Sequence, residues 1–198
     1  MRHEVGFILA YELLGSNTLE KSICFASKVL NADAVILLGD TASPSIITSL
    51  YNKCGIRVLG VLGSLDEASV AHALKSVQGL LDCRAIEFGG VLLYGYGVGT
   101  CVSSKPSTEV DILFSSKPGC VWGCCRPCSD VVDSVCNIIK PKLVVTGGCK
   151  YPCSRGRAFS PGSARLGYFA ILKYNTEDES YAVLQYQLDV FLFKLLKQ

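Results

Sequence analysis

Hydrophobic and polar residues follow one another along the chain in short blocks, which predict strands separated by helices. In the first third, each apolar run of strand length is followed by a stretch with apolar residues at helical spacing. These strands and helices alternate at residues 4–10, 18–30, 33–38, 44–53, 56–62 and 66–77. Ser16, Asn17 or Thr18 is expected to cap the first helix. Three such repeats predict parallel strands joined by right-handed crossovers.

After residue 81 the strands become shorter and their connections closer. The predicted strands are residues 84–88, 91–94, 111–115, 143–145, 166–174 and 181–188, with one helix at residues 130–139. The last two strands form a hairpin, and the apolar stretch 190–196 is read as a final strand or short helix. This half looks more antiparallel. An α/β fold with two mixed sheets packed face to face between outer helices, a four-layer αββα sandwich, accommodates both halves.

The composition indicates a single globular domain spanning residues 1–198. The chain is 49% hydrophobic and 18% charged, enough to form a sizeable core. No apolar run approaches the roughly 18 residues of a membrane-spanning helix, and the first residues carry charges and a glycine, so we expect no membrane association and a cytoplasmic protein. The net charge is only +2 with both signs interspersed, which makes nucleic acid an unlikely partner.

Five segments resemble, in chain order, the motifs of the calcineurin-like metallophosphoesterase family, in particular its small phosphodiesterase-like branch. They are ADAVILLGD at residues 32–40, VLGVLGSLDE at 58–67, DILFSSKPG at 111–119, KPKLVVTGGCKY at 140–151 and FSPGSARLGYFAIL at 159–172. Each motif alone is weak. Their order over nearly the whole chain predicts a metallophosphoesterase-like fold.

The resemblance implies a catalytic centre with two divalent cations about 3.5–4 Å apart, which activate water and stabilise displacement at phosphorus. Carboxylate, amide and imidazole groups normally supply the ligands of such cations. Carried across by motif, the family's site positions fall on Glu12, Leu14, Asp40, Ser64, Leu65, Asp66, Ser116, Gly148 and Lys150. Every imidazole of the family site is therefore replaced, and the chain's own histidines, His3 and His72, lie outside these motifs.

We therefore expect a pseudoenzyme with no catalytic residues, which binds an unidentified protein or a small anionic ligand as a binding or scaffolding module. The vestigial site comprises Glu12, Asp40, Ser64, Asp66, Ser116 and Lys150. The alternative is a weak metal-dependent phosphodiesterase or phosphatase that holds residual Mn²⁺ or Mg²⁺ on Glu12 and Asp40. No feature of the sequence indicates an oligomeric state.

Each of the basic residues in or beside the last two motifs has two interpretations. Lys150 stands at a lost ligand position, where its ammonium group can neutralise Asp40 and Glu12, or it can point into water. Arg155, Arg157 and Arg165 flank the SPGS segment, where they grip an anion or form a solvated face.

The eleven cysteines are the compositional anomaly. They are explained by buried thiols, by disulfides of the kind found inside hyperthermophiles, or by a zinc or iron–sulfur site. Cys125, Cys128, Cys149 and Cys153 have spacings compatible with a structural zinc site, which is the second functional alternative. Disulfides between these loops, or free thiols, are favoured because adjacent cysteines at 124 and 125 are untypical of zinc motifs. The remaining candidates for core or element-end positions are Cys24, Cys54, Cys83, Cys101 and Cys136.

Overall fold

A computed structural model describes residues 3–99, 109–188 and 191. The strands are β1 Glu4–Ala10, β2 Ala34–Leu37, β3 Arg57–Gly60, β4 Ala85–Phe88, β5 Val91–Tyr96, β6 Ile112–Ser115, β7 Leu143–Thr146, β8 Cys153–Arg155, β9 Ala158–Ser160, β10 Tyr168–Asn175 and β11 Tyr181–Gln187. The helices are α1 Asn17–Val29, α2 Pro44–Ser49, α3 Ala68–Ser76 and α4 Asp130–Ile139. A π-helical turn, Leu50–Cys54, continues α2, and a 3₁₀ turn, Ala164–Leu166, precedes β10.

The first sheet contains five strands in the order β11-β10-β1-β2-β3. As the three strand–helix repeats predicted, β1, β2 and β3 are parallel. The predicted hairpin is also confirmed: β10 and β11 are antiparallel, and β10 pairs antiparallel with β1. The end of the chain therefore closes the sheet beside its beginning.

The second sheet contains six strands in the order β4-β5-β6-β7-β9-β8. This sheet is mixed, as predicted: β5, β6, β7 and β9 run parallel, and the outer strands β4 and β8 are antiparallel to their neighbours. With the antiparallel pairs of β10 included, the strand pairs of this half of the chain are more often antiparallel than parallel. Helix α4 forms the crossover between β6 and β7, which gives the chain the length a parallel connection needs. The short strands β8 and β9 were not predicted.

Alternating residues of the strands divide the core into layers. On β1, Ile8 and Ala10 face a cluster shared with α1, α2 and α3, whereas Phe7 and Leu9 face the second sheet. A third cluster packs α4 on the other side of the second sheet, for example Cys136 against strand residues. The two-residue period of a strand thus builds helix, sheet, sheet and helix, which are the four predicted layers.

Local signals explain the helix boundaries. The hydroxyl oxygen of Ser16 caps α1 by accepting a hydrogen bond from the backbone N–H of Leu19 at 3.3 Å. Helix α4 begins and ends at the predicted residues, and Lys140 ends it in a left-handed conformation.

No helix of the described ranges is long and apolar enough to cross a bilayer. Cys101 and most of the predicted element at 190–196 lie outside the described residues.

The parallel strands place the motif loops together. The loops that follow β1, β2 and β3 leave the first sheet at the carboxyl ends of its parallel strands, and those that follow β6 and β7 leave the second sheet in the same way. Ligand sites of α/β sheets lie at such ends.

Candidate functional site

The loops after β1 and β2 are joined by backbone hydrogen bonds. The N–H groups of Glu12 and Leu14 donate to the carbonyl oxygens of Gly39 and Asp40, at 3.2 and 3.1 Å. Glu12, Leu14, Asp40 and Ala42 all have positive φ angles, of 62°, 49°, 53° and 59°. Residues other than glycine rarely adopt this conformation, and its clustering in facing loops is typical of a functional site or its remnant.

Asp40 is the buried carboxylate of the site. Its Oδ2 accepts a hydrogen bond from the hydroxyl of Tyr11 at 2.9 Å. Its Oδ1 accepts from the backbone N–H of Leu65 at 2.9 Å and from the hydroxyl of Ser64 at 3.4 Å. Both carboxylate oxygens therefore have protein donors, and the Asp40 side chain is held between the loops that follow β1 and β3.

Tyr11 remains a neutral phenol in this environment. Burial raises the pKa of Tyr11 well above its ordinary range, and the hydrogen bond and the negative charge of Asp40 raise it further. The phenolic proton is therefore retained and lies on the side of Asp40. Tyr11 was missed by sequence reasoning, because it precedes the Glu12 motif and no spacing signal marks it.

Asp66 stabilises the adjoining turn. Its Oδ1 accepts a hydrogen bond from the N–H of Ala42, and its Oδ2 accepts one from the N–H of Gly63, both at 2.7 Å. A side chain at Gly63 would collide with Asp40, since a Cβ there would lie 2.2 Å from the Asp40 nitrogen. Asp66 thus ties the loop after β3 to the loop after β2 and contacts no ligand position directly.

One cleft of about 260 Å³ opens over these residues. Asp40, Ser64 and Ser116 line it, as the motif alignment predicted they would lie together. Pro118 and Cys128, from the chain between β6 and α4, line its opposite side. Gly148, at a position where the motif resemblance implies histidine, also borders this cleft, and a Cβ there would lie 2.8 Å from Pro118.

A second cleft of about 430 Å³ adjoins the first, and Tyr11 and Gly148 border both. Glu12, Lys150 and Arg165 contribute its charged groups. The carboxylate of Glu12 accepts a hydrogen bond from the hydroxyl of Ser163, which is buried. Ser163 was also missed, although it lies in the SPGS segment singled out for its arginines.

Lys150 does not pair with the site carboxylates. None of the ion pairs between described residues joins it to Asp40 or Glu12. Its ammonium group lies over the ring of Tyr151, 5.3 Å from the centroid, and the side chain is exposed at the rim of the second cleft. Of the three flanking arginines, Arg165 reaches this cleft, whereas Arg157 lines a different pocket beside β11.

The histidines lie away from both clefts. The Nδ1 atom of His3 lies 3.0 Å from a carboxylate oxygen of Glu177, and His72 is exposed on α3. Neither imidazole reaches Asp40 or Glu12.

The cysteines form disulfides beside the clefts and elsewhere. The described pairs are Cys24–Cys54, Cys120–Cys128, Cys124–Cys153 and Cys125–Cys149. The structure does not bring together the suggested zinc set of Cys125, Cys128, Cys149 and Cys153. Cys128 is bonded to Cys120, whereas the disulfides of the other three cysteines connect the loop after β6 to the loop after β7. The cysteines of these loops are therefore paired in disulfides, which was the favoured alternative.

Several of the cysteines expected at core or element-end positions are also bonded. Cys24 and Cys54 join α1 to the π-helical turn, and Cys83 is disulfide-bonded as well. Cys136 is buried in the core and is the free cysteine of the described residues. Burial raises the pKa of its thiol to about 12, and the charge of Asp133 contributes.

The fold has several solved counterparts. A Thermus thermophilus structure, TT1561, matches with a TM-score of 0.68 and 12% identity, over 91% of this chain and 98% of that chain. The structure of a novel archaeal phosphodiesterase matches with a TM-score of 0.58 and 13% identity, over 92% and 100%. The chain has a metallophosphoesterase-like fold.

A third counterpart is GAP50, the anchor in the inner membrane complex of Plasmodium, with a TM-score of 0.58 and 8% identity, over 94% of this chain and 89% of that chain. No family model and no curated protein matches the sequence. The metallophosphoesterase-like sandwich of the motif resemblance is thus confirmed at the level of the fold.

Proposed function

We propose that this chain is a non-hydrolytic binding module that uses the remodelled site of a metallophosphoesterase fold to hold a small anionic ligand. One observation carries the proposal: the hydroxyl of Tyr11 donates a hydrogen bond to Asp40 at 2.9 Å. By motif, Asp40 is the carboxylate that would bridge two cations. The neutral phenol of Tyr11 thus supplies a hydrogen-bond donor to a carboxylate oxygen of Asp40, which needs no cation as its partner.

The donor set does not fit a two-metal centre. Leu14 and Leu65 offer hydrocarbon, Gly148 offers only backbone, and Lys150 carries an ammonium group without a lone pair. Both carboxylate oxygens of Asp40 already accept hydrogen bonds. Two divalent cations need oxygen and nitrogen donors filling both coordination shells, and these residues supply too few.

The second cleft is suited to an anion. Two cations, Lys150 and Arg165, line this cleft with one carboxylate, that of Glu12, which already accepts a hydrogen bond from Ser163. The cleft volume of about 430 Å³ lies within the range of small-molecule sites, roughly 300–1,000 Å³. Arginine and lysine are the usual partners of phosphate and carboxylate groups, so the ligand class is a small phosphorylated or carboxylated molecule.

Ligand binding tests the anion site. Inorganic phosphate and AMP are titrated into the protein by calorimetry, and Lys150→Met with Arg165→Met is expected to weaken binding at least tenfold. Lys75→Met is the matched control, because Lys75 is an exposed cation on α3. Failure of both anions to bind the wild-type protein at millimolar concentration would contradict the anion site.

A residual phosphoesterase is the second candidate, because Glu12 and Asp40 keep two carboxylates in facing loops. Bis-p-nitrophenyl phosphate with Mn²⁺ separates the two candidates. We expect no turnover above that of Asp40→Asn. Turnover that Asp40→Asn abolishes would overturn the binding module and establish a metal-dependent hydrolase.

The fold is compatible with a scaffolding role, since GAP50 is an anchor with a similar fold. We also infer a cytoplasmic location, and in that compartment the disulfides would indicate a hyperthermophilic source.

A further inference from the structure

Two disulfides lie in contact between the loops that follow β6 and β7. Cys124–Cys153 and Cys125–Cys149 both join the chain after β6 to the chain after β7. The sulfur of Cys153 lies 3.6 Å from that of Cys149, which belongs to the other disulfide. The sulfurs of Cys124, Cys149 and Cys153 all lie within 4.8 Å of one another. Cys125 is bonded to Cys149, and its sulfur lies farther than 4.8 Å from at least one sulfur of the other disulfide, so three close sulfurs have the fourth cysteine attached to one of them.

One contact between the two disulfides already has the length found in a zinc tetrathiolate. A Zn–S bond of about 2.3 Å and tetrahedral angles place neighbouring sulfurs about 3.8 Å apart. The contact between the sulfurs of Cys149 and Cys153, at 3.6 Å, already has nearly this length. A disulfide holds its sulfurs about 2.05 Å apart, so each bonded pair needs to separate by about 1.7 Å, which side-chain rotation can supply.

We propose that the reduced protein binds one Zn²⁺ through Cys124, Cys125, Cys149 and Cys153, and that oxidation of the four thiolates to two disulfides releases the ion. A dithiol reductant gives each disulfide two electrons and two protons and becomes a disulfide itself. Zinc then displaces the four thiol protons as it binds. In the reverse direction, a disulfide oxidant removes two electrons from each thiolate pair, and the metal leaves.

The neighbouring cysteines and acids do not form a competing site. Cys120 lies near Asp130 and Asp133, but Cys120 is paired with Cys128. The carboxylate of Asp133 accepts hydrogen bonds from the backbone N–H groups of residues 120, 121 and 122. That carboxylate therefore stabilises the loop and is not free to bind a cation.

The surroundings allow access to the four cysteines. Arg126 follows Cys125 in sequence, and Lys150 follows Cys149; both cations are exposed at the loops that carry the four cysteines. Cys124, Cys125 and Cys153 are half-buried, so reductant and metal can reach them, whereas Cys149 is fully buried and fixes the inner side.

Zinc binding to reduced and oxidised protein tests the proposal. The protein is reduced anaerobically with a phosphine, freed of metal with EDTA, and titrated with Zn²⁺ against a chromophoric chelator. We expect one equivalent per chain for the reduced form and none for the oxidised form. With Co²⁺, the intense visible absorption of a tetrahedral thiolate complex is expected. Absence of zinc binding by the reduced protein would overturn the proposal.

Paired serine variants identify the ligands. Cys124→Ser with Cys153→Ser is expected to abolish tight zinc binding, whereas Cys24→Ser with Cys54→Ser is expected to retain it. Cys120→Ser with Cys128→Ser is also expected to retain it, which separates this set from one that includes Cys128. Zinc binding that survives in the first variant, or is lost in the third, contradicts the assignment. Circular dichroism of the zinc-loaded reduced protein checks that it is folded, and an unfolded zinc-loaded form counts against a native site.

Discussion

The hydroxyl of Tyr11 donates a hydrogen bond to the carboxylate of Asp40 at 2.9 Å, across two loops that leave neighbouring parallel strands. This contact joins the residue before the first motif to the aspartate that ends the second motif in the resemblance. It fixes the position of the buried carboxylate of the first cleft, and its loss should be visible in stability.

Tyr11→Phe should destabilise the fold. The substitution keeps the ring but leaves one oxygen of Asp40 without its donor, and hydrogen bonds to charged groups contribute about 1–3 kcal/mol. The free energy of unfolding, measured by urea denaturation, is expected to fall by that amount. Tyr51→Phe is the matched control, because Tyr51 is an exposed tyrosine, and equal effects of the two variants would contradict the role of the Tyr11 hydroxyl.

Asp82 should make the protein less stable as the pH rises. Burial raises the pKa of Asp82 from 3.8 to about 6, although the N–H of Leu62 donates to its carboxylate and opposes the shift. Between these two values the folded state binds more protons than the unfolded state, so the contribution of Asp82 to stability is full below pH 3.8 and is lost as the pH rises through about 6.

The test compares unfolding free energies of wild type and Asp82→Asn from pH 4 to pH 7. The difference between the two proteins is expected to change across this window in favour of the variant at higher pH. Glu109→Gln, which removes a carboxylate from an exposed residue, is the matched control. A constant difference between wild type and Asp82→Asn at all pH values would show that Asp82 titrates normally.

Cys136 should be unreactive in the folded protein. It is buried, and its thiol pKa is raised to about 12, so the reactive thiolate is scarce at neutral pH. Iodoacetamide is expected to leave Cys136 unmodified in native protein and to modify it in guanidinium without reductant. Mass spectrometry of the labelled peptides reports both states. Rapid native labelling at Cys136 would contradict its buried position.

Two disulfides with very different loop lengths should differ in their effect on stability. Cys24–Cys54 closes a loop with a sequence separation of 30, for which loop entropy gives about 3.5 kcal/mol. Cys120–Cys128 has a separation of 8, which gives about 2.5 kcal/mol. Urea denaturation of the paired alanine variants should therefore show the larger loss for Cys24 and Cys54. The reverse order would mean that native-state packing, not loop closure, dominates.

Strand and helix positions could be predicted from the sequence because they depend on the local spacing of apolar residues. The bounds of β1 and α4 are those predicted, and the Ser16 cap of α1 was among the three expected. Strand direction is not encoded in periodicity, which explains why the parallel arrangement of β5, β6 and β7 was missed. The hairpin β8–β9 consists of two three-residue strands, too short to give a pattern.

The site residues, too, were predicted from the sequence only in part. Asp40 and Ser64 lie together because both follow parallel strands of the first sheet, and Ser116, which follows β6 of the second sheet, lines the same cleft. Tyr11 and Ser163 escaped attention because their roles are contacts with residues far away in sequence.

The sequence by itself determined most of the order of strands and helices and the αββα class, since these depend on residue identity and local spacing. Only the tertiary structure decided which cysteines pair, which donor satisfies Asp40 and how burial shifts the pKa of Asp82. Those properties depend on distances of a few ångströms between loops that are distant in sequence, and such distances exist only once the two sheets have packed.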